Sequence, residues 1–128
     1  MLNFNSLLLF SENPGELAEF YTNVFNQDPD WDEGEYKGFK LGQGMLVIGP
    51  HDKIKGKNKT PERILINFET DDLEGDFERI KKLGAKVIKE PYAPGEAEEM
   101  SIATFADPDG NFFQIITPMD QTPSSQAN

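Results

Sequence analysis

At 128 residues the chain has the size of one domain, able to bury roughly two-thirds of its unfolded surface without covalent staples. It has no cysteine, which excludes disulfides, zinc–thiolate sites and a thiol nucleophile and permits a cytoplasmic location. A formal charge of −11 argues against nucleic acid and anionic membranes as partners; its plain role is solubility, and a cationic ligand would be drawn to it.

The chain begins MLNFNSLLLF. Its apolar run 7–10 is too short for a signal segment or a membrane span, and no basic stretch precedes it. Residues 4–10 therefore read as a buried first strand. Asn13 is a good helix N-cap, Pro14 suits the first helical position, and Glu16 follows three residues after the cap. Leu17, Phe20, Tyr21, Val24 and Phe25 then recur at helical spacing as one apolar stripe. Strands are expected at 36–41 and 45–49, with a weaker one near 29–32 and a turn at Gly42-Gln43-Gly44.

The second half repeats this order. Residues 63–69 read as a strand, and a helix starts at Asp71 or Asp72, where Glu74 can complete a capping box with Asp71. Leu73, Phe77, Ile80 and Leu83 line its buried face, and Gly84 stops it. Strands follow at 85–90, 101–105 and 111–117, the last two joined by Asp107-Pro108-Asp109-Gly110. The offset between halves is roughly 60 residues, with Asn5 and Leu65 in matching places. The expected organisation is one domain over 1–118, with modules 1–50 and 63–118 and a polar, lysine-rich linker at 51–62. Residues 119–128 read as a disordered tail. The acidic run Glu96, Glu98 and Glu99 reads as a loop bordering the cavity or simply solvated.

With these features in place, the chain resembles the vicinal oxygen chelate superfamily of glyoxalase I, extradiol dioxygenases, fosfomycin-resistance enzymes and bleomycin-resistance proteins. The most specific segment is Phe105-Ala106-Asp107-Pro108-Asp109-Gly110-Asn111, supported by Leu83-Gly84-Ala85 and by Phe20-Tyr21 followed by Val24-Phe25. The resemblance implies an α+β fold of two βαβββ modules, each a curled mixed sheet with its helix outside. It also implies a cavity lined by the inner sheet faces and, in many single-domain members, shared across a homodimer.

Metal-dependent members hold the metal with one side chain from the first strand and one from the closing strand of each half. Carried onto this sequence, those places fall on Asn5, on Leu46 or Ile48, on Leu65 and on Gln114. In the second half Ile64, Ile66 and Phe68 alternate with Leu65, Asn67 and Glu69, which sends the latter three to the cavity. None of the four places carries a charge, and a catalytic metal takes about three protein ligands. No metal and no cofactor is therefore expected. His51, the sole histidine, is a candidate base or an exposed turn residue.

The expected ligand pocket comprises Asn5, Leu7, Trp31, Leu46, Ile48, Leu65, Asn67, Glu69, Phe105, Phe112 and Gln114. Other rings, Tyr36 and Phe39, are expected mainly in packing. The leading reading is metal-free binding of a small apolar or aromatic organic molecule, cationic if the acidic surface is used. Two readings stand beside it, and whether any reaction is catalysed stays open. One is a lyase, isomerase or dioxygenase with unusual ligands or with Glu69 as base, a residue that could instead cap the following helix. The other is a regulatory or interaction module whose cavity is filled by its own side chains.

Overall fold

The computed structural model describes residues 1–94 and 100–118; the expected acidic loop and terminal tail lie outside them. In chain order the elements are β1 (Ser6–Ser11), α1 (Pro14–Phe25), β2 (Trp31–Glu33), β3 (Tyr36–Leu41), β4 (Gly44–Pro50), β5 (Ile66–Glu69), α2 (Leu73–Lys82), β6 (Lys86–Tyr92), β7 (Ile102–Ala106) and β8 (Phe112–Ile116). They form two four-stranded sheets of identical connectivity, ordered β1-β4-β3-β2 and β5-β8-β7-β6. Both are mixed, because β1 runs parallel to β4 and β5 parallel to β8 while the remaining pairs are antiparallel. The fold is α+β, built from two βαβββ modules.

Both helices start where the sequence places them, by different devices. Asn13 is at the N-cap of α1, but its side chain makes no cap bond. Instead its N–H donates to Oγ of the buried Ser11, 2.9 Å away. For α2 the cap is Asp72, whose carboxylate accepts from the Gly75 N–H at 3.0 Å. That arrangement replaces the expected Asp71–Glu74 box. It also takes from Glu69 the capping role it was given as an alternative.

The opening strands start later than their apolar runs predict. Ser6 is the first residue of β1 with a partner, Met45, and Ile66 the first of β5, opposite Phe113. A strand exists only where its neighbour offers a ladder, and the closing strands begin just after their turns. Ahead of β5 the chain makes a short 3-10 turn at Pro61–Arg63.

Each sheet buries one face under its own helix. In the first, Leu17, Tyr21 and Val24 of α1 are buried with Phe39, Leu46 and Ile48, and Phe25 meets Phe39 edge-on at 5.3 Å. In the second, Phe77 lies 5.4 Å from Phe105, which stacks on Phe113 at 5.5 Å. Such aromatic contacts add to the area term that drives burial.

The chain divides into two compact units, Met1–Lys59 with Asp107–Asn111, and Thr60–Ala106 with the residues from Phe112. The turn between β7 and β8 thus belongs to the first unit. There Asp107 Oδ2 accepts from the Tyr21 hydroxyl at 2.7 Å, and Oδ1 accepts from the N–H groups of Asp109 and Asn111 at 2.9 and 3.0 Å. The Asn58 N–H donates to the Asp109 carbonyl at 2.8 Å and Lys57 Nζ to the Pro108 carbonyl at 2.8 Å. Part of the lysine-rich segment is therefore fastened to the turn. Burial pushes the Asp107 carboxyl above its ordinary value, against the opposing pull of the bonds from Tyr21, Asn111 and Asp109. Burial, then the nearby Asp107 charge, holds the Tyr21 phenol well above its ordinary value. Among the described residues no helix is long and apolar enough to cross a membrane.

Candidate functional site

In each sheet the face opposite the helix carries the side chains that do not pack under it, part of them exposed and part, in the second sheet, buried. Strand pairing decides which residues stand there, since residues directly opposite one another share a face. Phe39 lies against α1 and pairs with Leu46, which pairs with Leu7; Ile48 pairs with Leu9. Leu7, Leu46 and Ile48 therefore point to the helix side, and Ser6, Leu8, Phe10, Met45, Val47 and Gly49 to the open side.

The open face of the first sheet is apolar and aromatic. Leu8 is 50% exposed and Trp31 41% exposed. Trp31 pairs with Gly38, and a methyl added to that glycine would stand 2.9 Å from the indole Cε3 and 3.4 Å from the Met45 sulfur. A methyl on Gly49 would overlap the Tyr36 ring. Both rings therefore approach backbone closely where glycine leaves room for them, and both stay more than a third exposed.

The open face of the second sheet is built differently. Asn67 of β5 pairs with Gln114 of β8, Gln114 with Thr104 of β7, and Thr104 with Lys89 of β6. These four polar residues make a single row across all four strands. Within it Gln114 Nε2 donates to Thr104 Oγ1 at 3.0 Å, and Thr104 is 6% exposed. Neighbouring rows are apolar, Ala106 opposite Phe112 on one side and Ile102 opposite Ile116 on the other. Glu69, opposite Ile116, ends β5 at the sheet edge and is exposed. Two register shifts in β6, between Val87 and Lys89 and between Lys89 and Tyr92, turn both Lys89 and Tyr92 to this face. The Lys89 ammonium lies 4.9 Å from the Tyr92 ring centroid.

The geometry corrects part of the expected pocket. Leu7, Leu46 and Ile48 are helix-side residues, and Leu46 and Ile48 are buried core. Phe105 is likewise core, fully buried between Phe77 and Phe113. Asn5 lies ahead of β1 and is exposed. Trp31, Asn67, Glu69, Phe112 and Gln114 stand on open faces, and Leu65, just ahead of β5, has the parity of Asn67. Met45, Val47, Tyr36, Thr104, Lys89 and Tyr92 stand on the open faces too, outside the expected pocket. His51 sits in the loop after β4, its Nδ1 accepting from the Lys53 N–H at 3.1 Å and its ring against Phe10. It borders a separate surface pocket of about 340 Å³ with Ser11, Glu12 and Ile54.

The metal-ligand places shift by one residue in the first module. Leu65 stands seven residues before its helix cap Asp72, and Ser6 stands seven before Asn13. Val47 pairs with Leu8 as Gln114 pairs with Asn67. The pairs are therefore Ser6 with Val47 and Leu65 with Gln114: two hydrocarbons, one hydroxyl and one carboxamide. Neither pair fits a divalent transition metal, which takes imidazole, thiolate or carboxylate ligands. No group of three or more His, Cys, Asp or Glu able to hold a metal ion gathers among the described residues.

Comparison with known proteins agrees with this architecture. The family model described as Glyoxalase/Bleomycin resistance protein/Dioxygenase superfamily matches residues 3–115. A glyoxalase/bleomycin resistance protein/dioxygenase family enzyme from Burkholderia phytofirmans PsJN superposes with a TM-score of 0.73 at 19% identity, over 90% of this chain and 98% of that one. A glyoxalase-related enzyme from Fulvimarina pelagi gives 0.75 at 16% identity, over 92% and 89%. A lactoylglutathione lyase from Agrobacterium tumefaciens gives 0.69 at 17% identity, over 90% and 92%. No curated protein matches in sequence. At these identities the solved structures speak for the fold alone, while the family match spans nearly the whole chain. The chain belongs to the glyoxalase/bleomycin resistance protein/dioxygenase superfamily.

Proposed function

We propose that this protein binds a small organic molecule without a metal, on its open sheet faces and within a homodimer. The observation that carries this reading is the content of the family's ligand places, Ser6, Val47, Leu65 and Gln114. Hydrocarbon there favours contact with an apolar or aromatic body over coordination. Trp31 and Tyr36 offer flat surfaces for stacking, and Asn67 and Gln114 offer amides for orientation. Glu69 in the second sheet and Glu33, opposite Tyr36 in the first, are carboxylates that a cationic group on the ligand would meet. The cysteine-free chain suits such a role in the cytoplasm.

The test is purification without chelator, metal analysis, and a thermal-shift screen of aromatic and basic organic compounds. The expected result is no stoichiometric metal and a melting temperature that rises with compound concentration, as linkage requires. Tight one-to-one binding of nickel, manganese or iron would overturn the reading. Sedimentation at micromolar concentration tests the dimer, and a monomer there removes that part.

A further inference from the structure

We infer that the open face of the second sheet holds a subsite for a carboxylate on an aromatic body, with Lys89 and Thr104 as its donors. This deepens the binding role proposed above and rests on it. The polar row Asn67–Gln114–Thr104–Lys89 crosses four strands. At about 4.8 Å per strand it spans roughly 14 Å, the length of a two- or three-ring molecule.

Thr104 lies near the middle of the row with its hydroxyl oxygen already accepting from Gln114. A hydroxyl that accepts one bond still has a proton to give. No acceptor for that proton stands among the described residues, and at 6% exposure bulk water reaches it poorly. A buried donor in this state favours an incoming oxygen. Lys89 stands next to it across the strand pair, brought to this face by the bulges of β6 and steered over Tyr92. Among the described residues Lys89 has no carboxylate partner, and Glu69 lies on the far edge strand of the same sheet. Lys86, opposite Ala106, adds a second ammonium on β6. Lys86 and Lys89 thus place two ammonium-bearing residues on the β6 side of this face. Half-buried Phe112 on one side and half-buried Ile102 on the other provide apolar surface for the ligand body, backed by the buried Ala106 and Ile116 opposite them.

The experiment uses 2-naphthoate, the neutral 2-naphthamide and the cationic 2-naphthylmethylammonium as probes in calorimetric titrations of the full chain. The wild type should bind naphthoate about tenfold more tightly than naphthamide, the size of one charge-assisted hydrogen bond. Lys89→Met, at an exposed position and with its melting curve as the check on folding, should abolish that preference by weakening naphthoate far more than naphthamide. Thr104→Val, checked by its melting curve, should weaken naphthoate more than naphthamide. Equal affinities for naphthoate and naphthamide, or tighter binding of the ammonium, would overturn the subsite. So would silence from all three naphthalenes while other aromatic or basic compounds raise the melting temperature; in that case the binding role survives. If no compound in either set binds, the binding role fails with it.

Discussion

Replacing Tyr21 by Phe removes one oxygen from the interior and nothing else. That oxygen donates to Asp107 Oδ2 at 2.7 Å, between a fully buried ring and a carboxylate that is itself buried. A hydrogen bond to a charged group contributes roughly 1.5–3 kcal/mol, and orphaning a buried acceptor adds to the loss. Here Oδ2 keeps a second donor, Asn111 Nδ2 at 3.0 Å, so the loss should sit inside that range, at about 2 kcal/mol. With a urea slope of about 2 kcal/mol per molar, the midpoint should fall by about 1 M. The pH dependence has a definite sign. Burial raises the folded pKa of Asp107, so its favourable contribution is complete below the unfolded value of about 3.9 and is lost as pH rises through the folded value. The Tyr21 bond opposes that rise, so its removal should cost more at pH 7 than at pH 4. Urea titrations followed by circular dichroism at both values measure this. A loss below about 0.5 kcal/mol at pH 7, under the range for a charged buried bond, or a larger loss at pH 4, would refute the reasoning.

Other perturbations test the face assignments and the caps. Ile48→Ala should cost roughly 2–5 kcal/mol in urea denaturation because it opens a cavity under α1, whereas Val47→Thr, on the open face, should cost less than about 1 kcal/mol. Gly49→Ala should destabilise by about 1–3 kcal/mol through its clash with Tyr36, reversing the usual gain from replacing a strand glycine; a more stable variant would show that the ring is loosely held. Asp72→Ala should lower stability by about 1 kcal/mol through loss of the α2 cap. Gln114→Glu restores a carboxylate but leaves Leu65, Ser6 and Val47 in place, so nickel or manganese should remain substoichiometric by metal analysis.

The modules were legible because each helix carries its own punctuation, Asn13-Pro14 before the first and Gly84 after the second, around an apolar stripe. The faces of the strands were legible only where polar residues alternate. In β5 the order Ile66, Asn67, Phe68, Glu69 separates one face from the other, and the structure has the same parity. In β1 and β4, Leu7-Leu8-Leu9-Phe10 and Met45-Leu46-Val47-Ile48 are apolar on both sides, so periodicity holds no information about which side meets α1. That is why Leu46 and Ile48, rather than Met45 and Val47, were expected in the pocket. Phe105 has small or hydroxyl neighbours in Ala103, Thr104 and Ala106, and its burial follows from meeting Phe77 across the core. The bulges that bring Lys89 and Tyr92 to one face leave no mark in the sequence beyond Pro91, a residue suited to an edge strand.

The seat of the turn Asp107–Asn111 in the first unit also sets a constraint on time. Tyr21 and Asp107 are 86 positions apart, so a growing chain emits α1 long before the partner for its phenol exists. At about 5–20 residues per second, that interval lasts several seconds. Until then the first unit lacks its last segment, and an early compact state must leave the Tyr21 hydroxyl to water or to a substitute. Closing so long a loop comes late and slowly, as expected for contacts of high sequence separation. Two modules that repeat one another in outline are thus not two independent folding events: the earlier is completed only by residues made after nearly all of the later one.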